Sequence, residues 1–228
     1  MNERLLGLIP ARRGSKRVPD KNGRAFAGTS LLGWAVRQGL QVAALNRLGL
    51  STDSPAYLDI ARREGLEETY LRPDNLATDQ ANSAEMALDY VDWLAREHGE
   101  AVSHVVLLQP TSPFRLAKHI DAAVGQWRRS GRPSLVSVTP AAPDSRFLVR
   151  RAADGRVERL DAALAPVYVL EGSIYITPVE MLRAGGRFWE QNSELFVVEH
   201  PHAFDIDTPE DFVAAEAMIA SRTNEEAP

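Results

Sequence analysis

Arg4–Ile9 reads RLLGLI, and Pro10–Asn22 continues it as PARRGSKRVPDKN. The first part is a short apolar run of the kind that forms a buried strand. The second begins a basic segment. Between Arg12 and Arg24 lie Arg12, Arg13, Lys16, Arg17, Lys21 and Arg24, against the single acid Asp20. Pro10, Pro19 and the Gly14-Ser15 pair punctuate it. A buried strand feeding a basic, glycine-containing loop is how α/β folds hold phosphates: the backbone approaches closely, N–H groups point inward, and cations close round the anion. Ligands of open α/β sheets bind beyond the carboxyl ends of the strands, where this loop would sit. A run of charge is often only a solvated face, but here the charges come with the turn residues of a shaped loop. The stretch is not a Walker A motif, because Gly7 and Gly14 are too far apart and Arg17 follows Lys16 where Ser or Thr is needed. Nor is it G-x-G-x-x-G.

Outward from this stretch, strand-like runs and helical periods alternate. Leu31–Leu45 is predicted helical, with Leu31, Trp34, Ala35 and Leu45 near helical spacing. Arg47–Ser51 reads as a second strand. Pro55–Glu64 reads as a helix, with Ser54 as N-cap and Pro55 at the first helical position. Glu67–Leu71 reads as a short third strand and Ser83–His98 as a long helix. Val102–Leu108 is the most continuous apolar strand and belongs near the centre of the sheet. Ala117–Arg129 and Ser134–Val138 give a further helix and strand. The alternation predicts an α/β fold: a three-layer, Rossmann-like, mostly parallel sheet with right-handed crossovers.

The pattern breaks between Thr139 and Gly172. Short β-like pieces at Arg146–Arg151 and Arg156–Leu160 flank Asp154-Gly155, a hairpin signal. One domain over residues 1–228 is expected, with an insertion at about residues 140–187 serving as a lid or an oligomer arm. Ser173–Thr177 resumes the core. Leu195–Glu199 and Ala203–Ile206 read as strand-like, and Pro209–Ala220 as a closing helix.

Three further strings carry candidate chemistry. In Asp205-Ile206-Asp207-Thr208-Pro209-Glu210-Asp211, residues two apart on an extended segment face the same side. Asp205 and Asp207 can then converge on one cation, and Mg²⁺ favours one or two carboxylates completed by phosphates and water. Thr208, Pro209 and Asp211 are accounted for as a helix start with a capping box, which leaves Asp205 unexplained. Gln109-Pro110-Thr111-Ser112-Pro113-Phe114-Arg115 follows the central strand, where a glutamine can hydrogen-bond a polar sugar substituent. Leu71-Arg72-Pro73 precedes Leu76-Ala77, a turn that could also present a ligand-binding arginine. Asp53 is read as a helix cap and left out of the metal site.

Composition narrows the function classes. The 228-residue chain is 44% hydrophobic and 25% charged, ordinary for a globular domain with room for a core. A net charge of −5 argues against a general nucleic-acid binder. Without cysteine there is no disulfide framework and no thiol nucleophile. No stretch is long and apolar enough to span a bilayer, and the N-terminus lacks a secretory pattern, so a cytoplasmic protein with no membrane partner is expected.

The quoted strings resemble those of the acylneuraminate cytidylyltransferases, or CMP-sialic acid synthetases. Their loop I-P-A-R-x-G-S-K-x-x-P-x-K-N is matched by Ile9-Pro10-Ala11-Arg12, Gly14-Ser15-Lys16, Pro19 and Lys21-Asn22. Their L-Q-P-T-S-P-x-R and D-I-D-T strings are matched by residues 108–115 and 205–208. The resemblance implies the fold of nucleotide-diphospho-sugar transferases. It implies that Ala11, Arg12, Gly14, Ser15, Lys16, Asn22, Arg72 and Ser83 bind CTP, and that Gln109 and Ser112 meet the acidic sugar. Asp205 and Asp207 would bind Mg²⁺. Arg12, Lys16, Lys21 and Asp207 would be catalytic, and a β-rich element would form a homodimer. The chain departs from the family twice. Asp161–Pro166 lacks the usual arginine pair, and Glu171-Gly172 stands where Asn-Gly is usual. An acid at Glu171 would repel a sugar carboxylate unless a cation covers it.

The expected activity is therefore CTP plus an acidic 2-keto sugar giving a CMP-sugar and pyrophosphate. Two alternatives stand beside it: a catalytically altered nucleotide-binding subunit, and a glycosyltransferase of similar build that uses an Asp-x-Asp metal motif and consumes a nucleotide sugar.

Overall fold

In the computed structural model, Leu5–Pro10 forms β1, buried along almost its whole length with no inside–outside alternation. That pattern requires cover on both faces of the sheet. The structure describes residues 3–78, 80–141, 149–151, 156–159 and 167–225. The remaining elements in chain order are β2 (Ala25–Phe26), β3 (Thr29–Ser30), α1 (Leu31–Leu40), β4 (Arg47–Ser51), α2 (Pro55–Arg63), a 3₁₀ turn at Asp74–Leu76, α3 (Ser83–His98), β5 (His104–Leu107) and α4 (Ala117–Ser130). Then come β6 (Leu135–Pro140), β7 (Val149–Arg151), β8 (Val157–Arg159), β9 (Tyr168–Pro178), α5 (Val179–Gly185), β10 (Glu194–Val197) and α6 (Pro209–Glu225).

The main sheet has the order β10-β6-β9-β5-β1-β4. β4, β1 and β5 are parallel, as are β6 and β10. β9 runs antiparallel between β5 and β6, so the expected mostly parallel sheet carries one reversed interior strand. Alternate residues of β1 serve opposite layers. Leu5 and Ile9 pack with Leu32 and Val36 of α1, Leu58 of α2, and Ile120 and Val124 of α4. Leu6 and Leu8 pack with Met86, Tyr90 and Leu94 of α3 and Leu182 of α5. A third cluster joins Val18, Phe26, Leu31 and Phe114 to Ile206, Phe212 and Ala215. It ties the basic loop to the start of α6.

Several boundaries differ from the sequence reading. α1 stops at Leu40 because the following turn is held elsewhere: the N–H of Ala44 donates to the Asp121 carboxylate at 2.9 Å. Ser54 makes no side-chain cap; its own N–H donates to Thr52 Oγ1 at 3.1 Å. Glu67–Leu71 forms no strand, and Ala203–Ile206 joins no ladder. α5 was not anticipated. β7 and β8 pair antiparallel as the hairpin signal predicted, while Asp154-Gly155 and Asp161–Pro166 lie outside the described residues. Within the stretch 140–187, β9 and α5 belong to the main layers. No helix among the described residues is long and apolar enough to cross a membrane.

Candidate active site

The basic loop leaves β1 at Pro10 and is shaped by its own turns. The N–H of Ser15 donates to Arg13 O at 3.0 Å, and that of Lys21 to Val18 O at 3.1 Å. Asp20 takes a positive φ of 53°, which a short polar side chain tolerates, and its carboxylate accepts the Tyr57 hydroxyl at 2.6 Å. Asp53 accepts the Arg13 N–H at 2.9 Å, so it clasps the loop. Arg24 stacks on Phe212 with its guanidinium carbon 4.5 Å from the ring centre. One of the loop's cations thus has a packing role.

Burial of Val18 and Ile206 in one cluster brings the two ends of the sequence together. Lys21 Nζ donates to Ile206 O at 2.7 Å and to Asp207 Oδ1 at 3.2 Å. Arg17 reaches the other oxygen of the same carboxylate, also at 3.2 Å. The Lys21 side chain is only 12% exposed, so its pair is held more firmly than that of Arg17, which is 73% exposed. Behind them α6 begins with the anticipated capping box. Asp211 accepts the N–H groups of Asp207 and Thr208, and Thr208 Oγ1 accepts that of Asp211.

A cavity of about 330 Å³ opens beside this junction, within the usual range for small-molecule sites. Arg12, Ser15, Lys21, Asn22, Arg72, Ser83 and Gln109 line it, seven of the anticipated residues, drawn from the basic loop and three later places in the chain. Asn22 is buried; its Nδ2 donates to Arg12 O at 3.3 Å, while its Oδ1 has no hydrogen-bond partner among the described residues. A buried acceptor on a residue that lines a cavity is one that a ligand amino group could satisfy. Arg72 is also buried, and burial lowers its pKa from the usual arginine value. Its Nε donates to Ser51 Oγ at 3.0 Å and its terminal nitrogens to Ser51 O and Leu76 O. It therefore pins the Asp74–Leu76 turn to the end of β4 while presenting an edge to the cavity.

Gly14 and Lys16 line an adjoining depression of about 380 Å³ with Arg12, Ser15, Ala77 and Thr78. A Cβ at Gly14 would meet nothing within 4 Å, so the fold itself does not demand glycine there. Four anticipated residues do not line these cavities: Ala11, Ser112 and the two carboxylates Asp205 and Asp207. Ala11 is fully buried in the core and its N–H donates to Ser51 O, continuing the ladder. Ser112 is buried, and its Oγ has no hydrogen-bond partner among the described residues.

Asp205 is the carboxylate that the capping account left over. Partial desolvation raises its pKa above the usual carboxylate value, Asp207 and Glu171 add to the rise, and a Thr111 hydrogen bond and Lys21 oppose it. Thr111 also accepts the Ile206 N–H through its carbonyl at 2.9 Å, which fixes the strand-end turn against Asp205. The donor set suits Mg²⁺: two hard carboxylates whose mutual repulsion a cation would relieve, one of them already drawing two cationic side chains. No cluster of three metal-ligating side chains exists among the described residues, so phosphate and water oxygens would have to complete the shell.

The sequence reading missed a further depression of about 380 Å³ that shares Ser83 and Gln109 with the first cavity. Tyr175, Arg187, Phe188 and Trp189 form its far side. Tyr175 and Phe188 pack with ring centres 5.8 Å apart and planes tilted by 59°. The Tyr175 pKa is raised by burial and by the charges of Glu171 and Asp205. The signal was present in the aromatic pair at Phe188-Trp189, but it became legible only once β9 and α5 had been placed.

A family model described as cytidylyltransferase matches residues 6–161. A CMP-N,N'-diacetyllegionaminic acid synthase of Legionella pneumophila is 32% identical over 227 residues, covering 95% of this chain and 96% of the relative. An N-acylneuraminate cytidylyltransferase of Escherichia coli is 29% identical over 94% of this chain, which spans only 52% of that relative. A pseudaminic acid cytidylyltransferase of Campylobacter jejuni is 24% identical over 93% of this chain and 95% of its own length. Among solved structures, a CMP:2-keto-3-deoxy-manno-octonic acid synthetase complexed with CTP superposes with a TM-score of 0.71 at 18% identity, covering 96% of this chain and all of that one. At that identity the likeness is one of fold.

Proposed function

The chain belongs to the cytidylyltransferase family, and on that premise we propose that it joins CTP to an acidic 2-keto sugar of the nonulosonic class, releasing pyrophosphate. The observation that carries this reading is Lys21. One ammonium group contacts Ile206 O and Asp207 and lines the cavity that Arg12, Ser15 and Asn22 also line. Lys21 thus links the basic loop, the cavity wall and the Asp207 carboxylate, which supports placing phosphate and metal chemistry side by side.

In this reading Arg12, Ser15, Lys16 and Lys21 hold the triphosphate and stabilise the charge that builds on the departing pyrophosphate. Asn22 and Arg72, with Ser83, receive the nucleoside. The depression beyond Gln109 takes the sugar, where Arg187 offers a cation to its carboxylate and the aromatic wall an apolar surface. The anomeric oxygen of the sugar forms a bond to the α-phosphorus as the bond from that phosphorus to the β-phosphoryl oxygen breaks. Asp205 and Asp207 would hold Mg²⁺, which when bound neutralises phosphate charge and eases deprotonation of the sugar hydroxyl. The cytoplasm, where CTP is available, is the compartment this reading requires. A homodimer also belongs to it, supported by an exposed apolar run on β9.

The test is pyrophosphate release from CTP, with GTP as control, across sialic, legionaminic, pseudaminic and KDO-type sugars. Magnesium-dependent release with CTP and at least one of these sugars is expected. Asp207→Ala should lower turnover by about 10²-fold or more and abolish the magnesium-dependent part of the thermal shift produced by CTP. CTP binding without turnover of any sugar would instead place the chain among catalytically altered binding subunits.

A further inference from the structure

Arg115 is buried to 2% exposure at the end of the strand-end turn, and the chemistry proposed above gives it no role. One terminal nitrogen donates to Gln109 O at 2.8 Å and to Ser173 O at 3.0 Å. Its Nε has no hydrogen-bond partner among the described residues. Burial draws its pKa down to about 10, and the charge of Glu171 pushes back upward.

Ser173 lies in an irregularity of β9. The register passes from Val136↔Tyr175 to Val138↔Leu170, so β9 carries extra residues opposite Ser137. Gly172 has a φ of 75° there, and Ser137 Oγ accepts the Ile174 N–H at 2.8 Å. Ser173 directs its carbonyl to Arg115 and both its N–H and its hydroxyl to Glu171 Oε1. Two opposite charges therefore meet through one buried serine.

We propose that Arg115 and Glu171 form a positioning pair for the acceptor sugar, in which Glu171 is the counter-charge of the buried guanidinium and the pair locks the Gln109 main chain to the β9 bulge. The proposal rests on the cytidylyltransferase reading for the identity of the sugar. A buried charge with an unmade hydrogen bond is tolerated only with a compensating opposite charge, and removing one partner costs far more than removing both. Gln109 lines both the nucleotide cavity and the depression beyond it, so a small displacement of its backbone would misplace the acceptor. The pairing also accounts for an acid where an acidic sugar must bind. The Glu171 carboxylate is turned onto Ser173 and is balanced by Arg115.

The experiment is a thermal-unfolding cycle on the ligand-free protein with Glu171→Gln, Arg115→Met and the double variant, followed by kinetics on the folded ones. Each single change should lower the unfolding midpoint by roughly 5 °C or more, and the double by clearly less than the sum. Glu171→Gln should raise the KM for the sugar about tenfold while the KM for CTP stays within about twofold. Additive midpoints would overturn the pair. So would a lower sugar KM in Glu171→Gln, the result expected if that carboxylate faced and repelled the sugar. If Arg115→Met folds only together with Glu171→Gln, the pair is supported. If neither folds, Arg115→Lys replaces it: it keeps the charge, so Glu171→Gln must cost as much in that background as in the wild type, and a smaller cost would overturn the pair. Coupling in the unfolding cycle with no turnover of any acidic sugar would sink the functional reading and leave the pair standing.

Discussion

Asp205 is held where its charge is disfavoured. Desolvation comes first among the causes, followed on the same side by Asp207 and Glu171. Because its folded-state pKa is raised, the folded protein binds that proton more tightly than the unfolded chain does. The resulting penalty is absent below the ordinary value of 3.8 and reaches full size once the pH exceeds the raised value. Asp205→Asn should therefore raise the unfolding midpoint at pH 7 by about 1–3 °C, with the gain fading as the pH falls toward 4. The same change should remove activity, since the amide cannot replace a hard anionic ligand. Calorimetry at both pH values checks the sign, and a lower midpoint at pH 7 would refute it. Two glycines of the basic loop divide in the same way between folding and ligand binding. A Cβ at Gly23 would lie 2.5 Å from Tyr57 Cε1 and 2.9 Å from Asp20 Oδ1, whereas one at Gly14 would meet nothing. Gly23→Ala should cost about 1–3 kcal/mol of stability by overpacking. Gly14→Ala should leave stability unchanged and weaken CTP binding, measured as a smaller thermal shift with CTP. The sequence pointed to Gly14 as a functional position because it sits among cations. Nothing in the string marked Gly23, whose constraint comes from a tyrosine more than thirty residues away.

The elements most legible in the sequence were those with a complete local signature. The helix at Ser83–His98 was read to the residue because Asn82 caps it and Gly99, at a φ of 66°, ends it. Glu67–Leu71 shows the opposite case. Its composition suits a strand, and it does run beside β4, the sheet's edge. The contact is made by a side chain. Glu68, only 3% exposed, accepts the N–H groups of Leu50, Thr69 and Tyr70 and the hydroxyl of Tyr90. A carboxylate therefore covers the exposed edge in place of a further strand. Glu68→Gln offers fewer acceptor sites and turns an amide donor toward other donors. It should cost roughly 2–3 kcal/mol and, because Arg72 follows on the same segment and donates its N–H to Thr52 O, should raise the KM for CTP. Denaturant titration with kinetics tests this; an unchanged CTP KM at lowered stability would make Glu68 a purely structural residue. α5 escaped the reading because it is one short helix whose apolar residues, Val179 and Leu182, find their partners on α3.

At the scale of the whole molecule, the site depends on a packing event that spans nearly the entire chain. Each half was visible in the sequence as a motif. Their juxtaposition was not, because Val18, Phe26, Phe114 and Phe212 show no shared period and meet only in the third cluster. Phe26 and Phe212 stack edge to face at 5.1 Å, and that contact seats α6 over the loop. The same scale exposes what one chain leaves uncovered. Past its irregularity β9 continues along β6 to the pair Pro140↔Tyr168, and there Val167, Tyr168, Val169 and Leu170 are 38%, 37%, 53% and 44% exposed. Tyr168, Val169 and Leu170 lie consecutively on β9 and present apolar surface on both faces, since neighbours point to opposite sides. A contiguous patch of this kind marks an association surface, and a second copy of the chain is the partner we expect. Light scattering at micromolar concentration should give twice the chain mass of 25.1 kDa. Val169→Lys and Leu170→Lys place the charge on opposite faces, so the variant that falls to one chain mass identifies the face that pairs. None of the residues that line the cavity proposed for the nucleotide belongs to this apolar run. The dissociated variant should therefore keep its thermal shift with CTP, and loss of that shift would mean that association also shapes the nucleotide half. A wild-type protein of single chain mass at these concentrations would remove the dimer from the reading while leaving the chemistry of Lys21, Asp205 and Asp207 untouched.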